Sequence, residues 1–178
     1  MQATSIFATI ANDGIRVSPT VVAGTSDLDG HFTPAKSRES VRVISSSTAS
    51  DLRLMMESVV SVQGTAPEAA IPGYRVAGKT GTAQRVDEAC GCYRGYTASF
   101  IGFAPADKPR YVINVTIQAP QGIHWGGTLG GPVFKKVMSF VLQSRHVPPT
   151  GTKVIPYPLN ESQVKKSQIL LAKSREGK

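Results

Sequence analysis

The sequence predicts an α+β fold, an antiparallel sheet with flanking helices. Three runs of strand-type residues, near Val76–Gln84, Thr97–Phe103 and Tyr111–Ile117, follow one another with only loops between them. That order is the mark of an antiparallel meander, with Lys79 on one edge. Apolar residues recur at helical spacing before the block, over 2–12 and 52–62, and after it, over 133–141. A chain of 178 residues, 40% of them hydrophobic, holds one domain with a core or part of a larger one.

Taken in order, Ala3, Ile6, Phe7, Ile10 and Ala11 form a helical stripe that Asn12-Asp13-Gly14 stops. No capping residue precedes it. Ile15 to Ile44 reads as short strands and turns, with Asp27-Leu28-Asp29-Gly30 in a turn. That run resembles half of a calcium loop but has no Glu at the required offset. Thr48-Ala49-Ser50-Asp51 reads as a variant capping box, and Leu52, Met55, Met56, Val59 and Val62 as one helical face that ends at Gly64. Both methionines are expected in the core. Gly64 to Gly73 is a loop, and Arg85 to Gly95 is a charged, glycine-rich connection. Gly126-Gly127-Thr128-Leu129-Gly130-Gly131-Pro132 opens the last helix, with Pro132 in its first turn and Val133, Val137, Phe140 and Val141 as its apolar stripe. The run lacks the Gly-Lys-Ser/Thr ending of a phosphate loop, so close helix–sheet packing explains its glycines better. Residues 1–147 form the folded portion. Pro148, Pro149, Pro156 and Pro158 then break the pattern, and 148–178 is expected to be a disordered basic tail.

The net charge of +8 invites a nucleic-acid reading, but its distribution argues against one. The tail carries six basic residues against Glu161 and Glu176, which is half of the net charge. No basic face interleaved with aromatics is present. Attraction to an anionic membrane surface or wall polymer fits better. No segment approaches the roughly twenty apolar residues that span a bilayer, and no signal peptide is visible. Any exporting segment or anchor would therefore lie upstream. Cys90 and Cys92 are two thiols without a second pair, and His31, His124 and His146 are dispersed, so no metal site is proposed. A Cys90–Cys92 bridge, pairing with another chain and two free thiols all stay open.

The chemistry concentrates in Arg75-Val76-Ala77-Gly78-Lys79-Thr80-Gly81-Thr82-Ala83-Gln84. It reads as a strand with small residues around one buried-looking lysine. Glycine inside a strand often marks the approach of a ligand or another backbone. An ammonium and two threonine hydroxyls at a strand edge form a receptor for a carboxylate. The same edge offers a backbone N–H to a developing oxyanion.

Lys79-Thr80-Gly81-Thr82-Ala83-Gln84 resembles the third active-site motif of the penicillin-binding proteins and serine β-lactamases. The closest likeness is to class B penicillin-binding proteins, the peptidoglycan D,D-transpeptidases of cell division and elongation. It runs from Met1 to about Gly151 and is strongest at 77–84, at Ser99–Pro105 and at Gly126–Val137. Gln2, Phe7, Ile10, Ala11 and Asn12 also fit a helix of that family. The resemblance implies the C-terminal part of a penicillin-binding/β-lactamase-like transpeptidase domain. It implies catalytic roles for Lys79, as positive charge beside the nucleophile, and for Thr82, as an oxyanion donor through its N–H. Thr80, Gly81, Thr82 and Gln84 would bind substrate, the two hydroxyls holding its carboxylate. Expected ligands are D-Ala-D-Ala stem peptides and β-lactams, with other cell-wall or division proteins as partners. No cofactor, metal or nucleic acid is expected. The parent would sit at the extracytoplasmic face of the bacterial membrane.

The family's first two motifs, Ser-x-x-Lys with the nucleophile and Ser-x-Asn, are not found ahead of Lys79. Ser162-Gln163-Val164-Lys165 has the first spacing but follows the Lys-Thr-Gly and lies in the polar tail. It is rejected as the nucleophile, so the isolated chain is expected to be inactive. Two other readings remain: a non-catalytic penicillin- or peptidoglycan-binding sensor of the same fold, and an unrelated basic interaction module.

Overall fold

The computed structural model describes residues 1–36 and 39–151. The Ser162–Lys165 segment, and nearly all of the expected disordered tail, lie outside them. Residues that follow the last helix do make contacts as far as they are described. The Tyr74 hydroxyl donates to the Val147 carbonyl at 2.6 Å, and the Gly151 N–H donates to the Gly73 carbonyl at 3.0 Å.

Helix α1 (Gln2–Ala11) leads into four strands of three residues: β1 (Ile15–Val17), β2 (Gly24–Ser26), β3 (Phe32–Pro34) and β4 (Ser40–Arg42). They form two antiparallel ribbons, β1 with β4 and β2 with β3. The Asp27–Gly30 run is the expected turn: the Asp27 carboxylate accepts from the Asp29 and His31 N–H groups, and Gly30 has φ +84°. Helix α2 (Ser46–Ser58), a 3-10 turn (Pro67–Ala69), strands β5 (Ala77–Asp87), β6 (Cys92–Ala104) and β7 (Tyr111–Gln118), and helix α3 (Gly126–Ser144) follow. The last three strands make the expected antiparallel meander in the order β5-β6-β7, with β5 on an edge.

Strand alternation divides the core. On one face of the sheet Val76, Phe100, Ala104, Ile113 and Val115 meet Phe134, Met138 and Leu142 of α3. On the other, Ala77, Phe103 and Val112 meet Met56 of α2 and Phe7, Ile10 and Ala11 of α1. Phe100 packs edge-on to Phe134 with ring centroids 5.0 Å apart, an arrangement worth about 0.5–1.5 kcal/mol beyond the buried area.

Several expectations are corrected. The α2 cap is Ser45, whose hydroxyl accepts from the Thr48 N–H at 3.1 Å, so the helix begins before the Thr48–Asp51 box. Helix α2 ends at Ser58, and Val62 beyond it is 94% exposed. Of the two methionines only Met56 is buried; Met55 faces outward. In α3 the buried stripe is Phe134, Met138 and Leu142, while Val133, Val137 and Phe140 are exposed. The periodicity allowed either stripe, and the glycines decided: Gly127, Gly130 and Gly131 bring their own side of the helix against its neighbours. Pro132 accordingly falls in the second turn rather than the first. Finally, Arg85–Gly95 is largely strand. Strands β5 and β6 continue past a register shift at Gln84/Val86 to a tip where Cys90 and Cys92 are joined in a disulfide.

Sequence reading missed a buried ion pair. Arg75 donates through Nε and Nη2 to both carboxylate oxygens of Glu57, at 2.8 and 2.6 Å, and Glu57 is only 3% exposed. Those hydrogen bonds hold the Arg75 guanidinium above its ordinary pKa, against the opposing effect of burial. The pair ties the end of α2 to the chain entering β5.

Candidate functional site

The Lys79–Gln84 stretch lies wholly within β5, hydrogen-bonded to β6 on one side and free on the other. An edge strand keeps alternate N–H groups unpaired, which makes a backbone donor available along this stretch. The glycines flanking the Lys-Thr pair serve the sheet itself. A side chain on Gly78 would strike the Phe100 ring, and one on Gly81 would strike the Ser99 hydroxyl. Cross-strand packing therefore accounts for Gly78, which the sequence suggested was cleared for a ligand, while at Gly81 only a rotatable hydroxyl stands in the way.

Lys79 is exposed, not buried as the sequence suggested. Its ammonium folds back on the strand and donates to the Thr80 carbonyl at 3.0 Å and to Thr80 Oγ1 at 3.2 Å. Among the described residues no carboxylate lies within ion-pair distance of it. Thr80 is half-buried, and Thr82 and Gln84 are exposed.

Two hydroxyls at this edge accept hydrogen bonds from their neighbours. A threonine hydroxyl has one proton and two lone pairs. Thr80 Oγ1 accepts from Lys79, and Thr82 Oγ1 accepts from the Gly126 N–H at 3.2 Å. Thr82 then has a lone pair occupied and a proton to offer, while Thr80 also shares a hydrogen bond of either direction with the Thr65 hydroxyl. The second contact also caps a helix: Gly126 is the first residue of α3, and its N-cap, Trp125, supplies no side-chain bond. Thr82 stands in from another element, at the positive end of a 19-residue helix. An ammonium, two hydroxyls and a helix N-terminus on one strand edge suit a carboxylate.

Proximity in space adds residues that local pattern could not reveal. Gly126 fits because a side chain there would overlap the backbone oxygens of Ser99 and Gly81. Thr65, in the loop after α2, places its hydroxyl 3.2 Å from Thr80 Oγ1. Beyond Gln84, its cross-strand partner Tyr96 stacks on His124 with centroids 4.0 Å apart, and Trp125 lies against His124. Gly126 was legible only as part of a packing run, and Thr65 had no signal of its own.

The antiparallel sheet thus carries Lys-Thr-Gly on its edge strand, beneath the start of a long helix. Residues 1–139 match the family described as the penicillin binding protein transpeptidase domain, and the chain belongs to that family. It is 45% identical over 158 residues to the penicillin-binding protein PbpB of Mycolicibacterium smegmatis, covering 83% of this chain and 24% of that protein. It is 34% identical over 158 residues to the peptidoglycan D,D-transpeptidase FtsI of Escherichia coli, covering 86% of this chain and 25% of that one. A crystal structure of penicillin binding protein 3 from Mycobacterium tuberculosis, complexed with ampicillin, superposes with a TM-score of 0.78 at 37% identity. That match covers 89% of this chain and 38% of that one. The chain thus spans about a quarter of the length of the curated relatives it matches.

Proposed function

We propose that this chain is the C-terminal part of the transpeptidase domain of a division-type peptidoglycan D,D-transpeptidase, and that it supplies the substrate-carboxylate side of the active site. The observation that carries the reading is the polar edge of β5, where the Lys79 ammonium rests on Thr80 Oγ1 and Thr82 Oγ1 sits at the start of α3. In the whole enzyme a serine would attack the penultimate D-Ala carbonyl of a stem peptide, release the terminal D-Ala and pass the acyl group to a second stem's amine. Lys79 would place positive charge beside that serine. The Thr80 and Thr82 hydroxyls would hold the terminal carboxylate, and the Thr82 N–H would be one oxyanion donor. Gly81 keeps the strand close to β6, and Gln84 would support the far end of the ligand. β-Lactams would enter the same receptor through their own carboxylate, and no cofactor is called for.

The relatives support this reading through their names, which include peptidoglycan D,D-transpeptidases, and through a relative complexed with ampicillin. Family membership removes the reading as an unrelated basic module. Location outside the cytoplasm, and attachment through a segment other than those described, belong to the same proposal. The Cys90–Cys92 disulfide supports an oxidising compartment. No helix among the described residues is long and apolar enough to cross a membrane.

The test is labelling with fluorescent penicillin, read by gel and by intact mass. The 178-residue chain alone should remain unlabelled, because acylation needs a serine, its base and a second oxyanion donor. The complete polypeptide, bearing Ser-x-x-Lys and Ser-x-Asn ahead of Lys79, should take up one penicillin per chain. A stoichiometric adduct on the isolated chain, at Ser162 or elsewhere, overturns the assignment. A complete polypeptide that binds penicillin reversibly without acylation is instead the sensor.

A further inference from the structure

We infer that Thr65 is a positioning residue for the carboxylate receptor, holding the Thr80 hydroxyl together with Lys79; this rests on the function proposed above. Thr80 Oγ1 has two neighbours, the Lys79 ammonium at 3.2 Å and Thr65 Oγ1 at 3.2 Å. The ammonium has no lone pair and only donates. The bond between the two hydroxyls runs in either direction. If Thr80 donates to Thr65, its single proton is spent and a lone pair is left facing the ligand. If Thr65 donates, both lone pairs of Thr80 are filled and its proton is directed outward. A carboxylate accepts only, so its arrival selects the second arrangement. Accepted hydrogen bonds also polarise the hydroxyl that receives them and strengthen the bond it then donates.

Thr65 is well placed for this because its backbone is clamped. The neighbouring Ala66 is fully buried, and its N–H donates to the Val59 carbonyl at 2.9 Å. From the other side α3 closes down so tightly that a side chain on Gly127 would run into the Thr65 carbonyl oxygen. The loop after α2 is thereby wedged between the core and the last helix, and it presents one hydroxyl to the edge of β5. A threonine side chain chooses among staggered rotamers. A second anchor on Thr80 Oγ1 narrows that choice before a ligand binds.

The experiment uses the complete enzyme and compares penicillin G with its methyl ester, separating the binding constant from the acylation rate constant. Thr65→Val should weaken binding of penicillin G about three- to ten-fold, the loss of one neutral hydrogen bond, with the acylation rate constant little changed. The methyl ester should be affected less, and Thr65→Ser should restore the wild-type values. On a Thr80→Val background the Thr65→Val change should add nothing, since a positioning residue acts only through what it positions. An undiminished Thr65→Val effect on that background would mean direct contact with ligand and overturn the inference. So would a loss that tracks a fall in melting temperature and is not rescued by serine. If Thr80→Val weakens penicillin G and Thr65→Val does not, this inference alone falls. If Thr80→Val itself treats acid and ester alike, the carboxylate role of Thr80 falls first.

Discussion

Lys79 spends its hydrogen bonds on its neighbour Thr80 and meets no acid among the described residues. The ammonium can turn toward a serine brought to the edge of β5 by giving up its exposed bond to the Thr80 carbonyl while keeping the one to Thr80 Oγ1. On the proposed reading, Lys79→Ala in the complete enzyme should slow acylation by penicillin about 10²–10³-fold, the usual range for loss of one electrostatic stabiliser at the reacting centre. Lys79→Arg should not restore the rate, since a planar guanidinium does not replace a compact point charge with three rotatable donors. Stopped-flow acylation rates check both variants. A rate within a few-fold of wild type for Lys79→Ala would leave the residue a structural one.

At the scale of elements, the contact between α3 and the sheet builds the site. Gly126 brings the helix start within hydrogen-bond reach of Thr82, and the space it leaves is closed by the Ser99 and Gly81 carbonyl oxygens. For Gly126→Ala two effects compete. Alanine's helix propensity favours the change by at most about 1 kcal/mol. Overpacking costs about 1–3 kcal/mol or more, and backbone oxygens in paired strands do not rotate aside as a side-chain tip would. The clash wins. Gly126→Ala should lower stability by about 1–2 kcal/mol net in urea denaturation and, on the proposed reading, weaken penicillin binding by the complete enzyme. Unchanged stability would mean that α3 is free to lift from the sheet.

The molecule as a whole carries apolar surface that its own fold does not use. Val133 (43% exposed), Val137 (44%) and Phe140 (69%) form an outward stripe on α3, and Ile6 of α1 is 61% exposed. Isolated exposed apolar residues are ordinary, but a stripe along one helix is not. The chain spans about a quarter of its relatives' length, so on the proposed reading the remainder of the domain covers these faces. The isolated chain should therefore enhance the fluorescence of a hydrophobic dye and self-associate in sedimentation. The complete polypeptide should do neither through this stripe. A monodisperse isolated chain that ignores the dye would make these faces ordinary surface.

The sequence alone determined the α+β class, the order of the meander, the edge position of Lys79 and the family. All of these rest on patterns local in the chain: alternation in strands, periodicity in helices, and a short motif whose residues are neighbours. It also established that packing explains the glycines before Pro132. Where two local patterns competed it erred, because periodicity shows that a helix has an apolar face without showing which partner that face meets. The α3 stripe was thus misassigned, and Met55 was placed inside. Only the tertiary structure decided that Lys79 is exposed and that Glu57 and Arg75 form a buried pair. It alone showed that Thr82 caps a helix that begins 44 residues later. It also brought Thr65 to Thr80 across 15 residues. A hydroxyl becomes a donor or an acceptor according to what stands beside it in space, and no spacing along a chain records that.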